Sequence, residues 1–221
     1  MSKILILLLL FIVVSNKESK DVILIWDCRI EEMSLEVIGA EKASFKYSGH
    51  YFSAIMTYKP ISFKDYNIEI TAVKIVSNFY ELSDATLHAY SQLKNAKEGT
   101  NVLLNLGIDN LNDFISIASF IEKLADKYKH LNFYVISIVG VEEIFCDISN
   151  SDIKEFNRRM ENRIELLALS NLKYKSILNE ENPTKIKYND KVVDILDYVT
   201  EETGFSKEGY EIIFNAMVEG L

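Results

Sequence analysis

Hydrophobic positions along the chain follow two alternating rhythms. Short apolar runs, Val22-Ile23-Leu24-Ile25-Trp26, Asn101 to Leu106 and Phe133 to Val139, have the length and β-branched content of strands buried on both faces. Longer stretches of helical period lie between and after them. Phe114, Ile117, Ala118, Ile121, Leu124, Ala125 and Tyr128 recur every three or four residues and draw one apolar stripe. Ile153, Phe156, Asn157, Met160 and Ile164 do the same behind Asn150 or Ser151 as cap, and a last helix is predicted from Lys207 to Val218. This alternation predicts the α/β class, a parallel sheet covered by helices.

The weaker segments are read with the same rules. Glu36 to Ala40 and Ile68 to Val76 read as short strands, and Lys185 to Tyr188 as one more strand within 171–195. A helix is expected from Asp84 to Asn95. Ala43 to Met56, aromatic-rich and without a clear period, is expected to be a loop with a helical turn. Ligands of open parallel sheets bind outside the carboxyl ends of the strands. Three turns therefore matter: Asp27-Cys28-Arg29, Gly107 to Leu111, and the loop around Cys146.

The first twenty residues stand apart. Lys3 precedes eleven unbroken apolar residues, Ile4 to Val14, and a polar run follows from Ser15 to Asp21. Such a run is shorter than the ~20 residues that span a bilayer, which is the layout of a signal peptide or membrane anchor over 1–20 ahead of one domain over 21–221. The expected location is outside the cytoplasmic membrane of a bacterium, secreted or anchored at its outer face, with membrane contact only through this segment.

Composition narrows the chemistry. With 33 acidic against 24 basic residues the net charge is −9, so the field of the whole chain repels phosphate backbones, and nucleic acid is not an expected partner. Lys154, Arg158, Arg159 and Arg163 share a helix with Glu155, Glu161 and Glu165, which reads as a solvated face rather than a basic docking patch. Cys28 and Cys146 are too few for a disulfide framework, and no Cys/His cluster has metal-ligand spacing. No metal and no cofactor are expected.

Ile25-Trp26-Asp27-Cys28-Arg29, Gly107-Ile108-Asp109-Asn110-Leu111, Ile136 to Val141 and Asn150-x-x-Ile153-x-x-Phe156-Asn157 together resemble, in order and position, the sequence blocks of SGNH (GDSL-type) hydrolases of the bacterial secreted type. The resemblance implies a three-layer α/β/α sandwich with a parallel, flavodoxin-like sheet. It also implies a nucleophile at Cys28, where the family has serine, and an oxyanion-hole residue at Asp109, where it has asparagine. A carboxylate accepts hydrogen bonds and cannot donate one to a developing negative charge. Asn110 stands one residue later, and the family's Asp and His fall on Glu201 and Gly204. The general base is thus missing, a loss of about 10⁴-fold in such enzymes.

Three histidines make the search for a substitute short. His130 links a helix to a strand's amino end, His88 falls inside a predicted helix, and His50, beside Gly49, lies in the irregular stretch expected to fold over the strand ends. Cys28 has three readings: inert packing, a disulfide with Cys146, and a nucleophile served by His50. Asp27, Gly49, Gly107, Asp109 and Asn110 are the accompanying binding positions, Asp27 holding its turn; the backbone donor that the resemblance implies falls on Gly39 or Gly49, and Gly49 is favoured because it precedes His50 in the irregular stretch. Tyr47, Tyr51, Phe52, Tyr58, Phe63 and Tyr66 form an aromatic-dense set expected beside the site as a ligand platform. The implied function is an exported, catalytically degenerate SGNH-like domain that binds a carbohydrate or cell-envelope ester ligand or a partner. The alternative is an ester hydrolase or acyl transferase working through Cys28.

Overall fold

A computed structural model describes residues 20–26, 41–47, 50–56, 61–63, 66–73, 93–107, 111–140, 148–180, 182–200 and 204–221. Its main sheet contains β1 (Lys20–Trp26), β2 (Glu41–Tyr47), β3 (His50–Met56), β4 (Ile61–Phe63), β5 (Tyr66–Val73), β6 (Asn101–Asn105), β7 (Asn132–Ile136) and β8 (Leu172–Lys175). Spatial order is β2-β3-β5-β1-β6-β7-β8, with β4 paired to β5. From β5 to β8 every neighbouring pair is parallel. The fold is a mixed α/β, Rossmann-like arrangement of a parallel sheet flanked by helices.

Strand alternation sends successive side chains to opposite faces and so builds two cores. On one face Ile23, Ile25, Val102, Leu104, Phe133 and Val135 pack with α1 (Phe114–Lys127) and α2 (Asn150–Leu167). On the other, Val22, Leu24, Leu103 and Ile136 meet α3 (Lys207–Val218), whose Phe214 and Met217 are fully buried. Beneath α3 lies a small sheet of β9 (Leu178–Asn179), β10 (Asn182–Tyr188) and β11 (Lys191–Asp194), which contributes Ile186 to the same core. A short ladder, β12 (Val199–Thr200) with β13 (Gly204–Phe205), leads into α3.

Two sequence expectations change here. Residues 41–47 and 50–56 are strands with no helical turn: β2 and β3 pair antiparallel along their whole length, from Glu41↔Met56 to Tyr47↔His50. The period of two was hidden because Ser and Lys alternate with aromatics rather than with aliphatics, and Ser48-Gly49 between the strands is a turn signal. Residues 171–195 hold β8, β9, β10 and β11 instead of a single strand. The expected strand at 36–40, most of the helix at 84–95, and the first nineteen residues lie outside the described residues.

Helix α2 begins one residue before either predicted cap allows. Ser149 is the N-cap: its Oγ accepts from Asp152 N at 3.1 Å, while Asp152 Oδ2 accepts from Ser149 N at 3.2 Å. Each side chain thereby satisfies a donor that the helix leaves orphaned. Ser149→Ala is expected to cost about 1 kcal/mol. A urea midpoint unchanged in that variant, at unchanged slope, would refute the assignment.

Candidate functional site

The order of strands reverses between β1 and β6: the chain leaves β1 toward β5 on one side and returns to β6 on the other. In open parallel sheets such a reversal is the place, outside the carboxyl ends of the strands, where ligands bind. Trp26 pairs with Asn105 at that edge. Asp27 and Cys28 follow Trp26 directly, and Asp109 and Asn110 follow Gly107 by two and three residues; all four lie outside the described residues, as do Gly49, His88 and Cys146. Gly107 is therefore the one expected binding position whose surroundings are visible.

Gly107 takes φ +119 immediately after β6, a backbone conformation that side chains oppose. A Cβ at this position would stand 2.4 Å from Phe156 Cζ. Phe156 itself is wedged edge-on against Phe114, with ring centroids 5.7 Å apart. Glycine is thus required twice over, by the turn and by close approach of α2. Its visible role is to let helix and strand end touch.

Past Ile136 the regular β7 ladder ends: Ser137 N still donates to Lys175 O at 3.2 Å, and side chains pair neighbouring backbone groups. Asn105 Nδ2 donates to the carbonyls of Ile136 and Ser137 at 3.3 and 3.2 Å. Asn157, projecting from α2, accepts from Ile138 N and donates to Ile138 O, both at 2.8 Å. Ser137 Oγ, wholly buried, accepts from Ile177 N at 3.0 Å. These amides and this hydroxyl pair groups that burial would otherwise orphan. They hold the strand end rigid as far as Gly140, whose N–H donates to Pro183 O at 2.6 Å. Asn150 Oδ1 is enclosed at this point without a hydrogen-bond partner. Sequence reading placed Asn157 on the buried face of its helix but missed the latch it makes. The available signal was polar residues inside apolar runs, Asn105 and Ser137 among them.

A recess beside this strand end, lined by Lys154, Asn157, Arg158, Glu161, Tyr174, Ser176 and Leu178, encloses about 30 Å³, room for a water or two. The cations of α2 are engaged. Arg158 grips Glu155 through two nitrogens at 2.9 and 2.8 Å, and this bond holds the Glu155 carboxyl below its ordinary range. Arg163 meets Glu122 at 2.8 Å, and Arg159 lies 4.1 Å over the Phe114 ring. One of these contacts, Arg158 with Glu155, is a pair within α2 of the kind the interleaved glutamates predict, while Arg159 and Arg163 reach across to α1. Lys175, at the end of β8, donates to Glu219 O, and burial pulls its ammonium below the usual lysine range against the pull of Glu219.

His50 begins β3, opposite Tyr47. Among the described residues Ala54, Ile55 and Met56 of β3 pair with β5, so the hairpin runs on past Val73, the last residue of β5, for about four residues, roughly 13 Å. His50 accordingly stands on the carboxyl-end side, on a strand two places removed from β1. The aromatic set is divided. Tyr47, Tyr51 and Phe52 lie on this hairpin, whereas Phe63 and Tyr66 pair with each other at the amino end of β5, beside Lys20. Tyr58 lies outside the described residues. His130 is in the link before β7, its carbonyl accepting from Gly99 N at 2.7 Å, away from the strand carboxyl ends. Among the described residues no group of three or more His, Cys, Asp or Glu could hold a metal, and no helix is long and apolar enough to cross a membrane.

No family model matches the chain, and no curated protein matches it. Among solved structures, the G domain of the T. maritima FeoB iron transporter is similar over 90% of this chain and 97% of that one, at 12% identity and a TM-score of 0.34, a level too low to carry an argument about function. Assignment to the SGNH hydrolases is corrected on these findings: no family model and no curated protein supports it. The exported, degenerate-esterase function and the Cys28 hydrolase alternative fall with it. The physical reason is that strand–turn–helix junctions of any parallel α/β sheet select Gly, Asn and Asp at the turn and Ser or Asn at the cap, so four short matches in order reflect the architecture.

Proposed function

We propose that this chain is a small-molecule-binding α/β domain whose site is the crevice at the carboxyl ends of β1 and β6. The observation that carries the reading is the reversal of strand order at that point, with the Gly107 turn at its edge. We further propose that the sheet is flavodoxin-like. Its support is the sequence of parallel neighbours β5-β1-β6-β7-β8, the second strand of the parallel set lying outside the first. Net charge −9 argues against an anionic ligand, and the sequence contains no G-x-x-x-x-G-K-[S/T] loop to cradle a phosphate. Uncharged small molecules are the class to test.

Thermal unfolding in the presence of such compounds, with a nucleoside triphosphate as the anionic arm, decides the matter. A ligand at a hundred times its Kd is expected to add about 2.7 kcal/mol. Stabilisation by the triphosphate and by no neutral compound would overturn the electrostatic argument. Absence of any shift across both arms would overturn ligand binding at the crevice.

We also propose that Ile4 to Val14 contacts lipid. As a helix this run would reach about 16 Å, roughly half the hydrocarbon core, so it would enter one leaflet without spanning. Full-length protein is expected to float with phosphatidylcholine vesicles, and a Leu7→Asp/Leu10→Asp variant to remain at the bottom of the gradient. Equal flotation of both would refute the proposal.

A further inference from the structure

We draw no further inference here: the strongest candidate, the face of the β2–β3 hairpin that carries Phe45, Tyr47, His50 and Phe52 past the carboxyl end of β5, is a sheet face for which nothing in the structure shows what covers it.

Discussion

Replacing Asn157 with leucine is expected to destabilise the domain by about 3–4 kcal/mol, because two backbone groups lose their partners at once and an unsatisfied buried group costs about 1–3 kcal/mol. Ile138 N and O both lean on this one amide, at 2.8 Å each, and Asn157 is only 7% exposed. For a chain of this size the loss should lower Tm by roughly 6–16 °C. Asn157→Asp separates hydrogen bonding from shape. An ionised aspartate still accepts from Ile138 N but faces Ile138 O with a second acceptor, whereas the protonated acid can donate to that carbonyl. The folded state therefore favours the neutral acid and raises its pKa above the unfolded value. The penalty is absent below the unfolded pKa and develops as pH rises through the folded one. Measured as the difference in Tm from wild type, Asn157→Asp should look milder at pH 4 than at pH 7.5. A gap that does not vary with pH would show that the latch is not what holds this strand end.

Some of this architecture was legible because apolar side chains set it. The stripe from Phe114 to Tyr128 became α1, Lys207 to Val218 is α3 to the residue, and Asn101 and Phe133 open or adjoin the central strands β6 and β7. Where burial is one-sided the reading failed. The expected strand Lys185 to Tyr188 is the carboxyl-terminal part of β10, but in β8 Lys173 and Lys175 alternate with Leu172 and Tyr174, so that segment has too few apolar residues to stand out from a loop.

Positions near the crevice were legible in a different sense. General knowledge of parallel sheets pointed to three turns, and the strand order places the reversal between β1 and β6, at the first two of them. The chemistry assigned to those turns rested on motif likeness, which does not separate a strand–helix junction from an active site. What organises the visible part of the region is Asn105, Ser137 and Asn157. Each sits in an otherwise apolar pattern, where a polar side chain is tolerated only if the backbone beside it has groups to satisfy.

Gly107→Ala is expected to cost about 3–5 kcal/mol, the sum of a backbone strain of about 1–3 kcal/mol and an overpacking cost of similar size. The strain comes from φ +119, and the overpacking from Phe156, whose Cζ, Cε1 and Cε2 would lie 2.4, 3.0 and 3.1 Å from the new methyl. The two parts separate in a double-mutant cycle. Phe156→Leu removes the ring atoms that meet the methyl but leaves φ untouched. Because Phe156 is 4% exposed and packed against Phe114, its ring has no free space to swing into in the wild type. The double variant should therefore be more stable than the sum of the single losses predicts, by about 1–2 kcal/mol. The remainder, specific to residue 107, measures the turn. Strict additivity would mean that the ring yields and that glycine is needed for backbone conformation alone. If instead the double variant recovered all of the Gly107→Ala loss, the positive φ would carry no cost, and the glycine would be needed only to let α2 close on the end of β6.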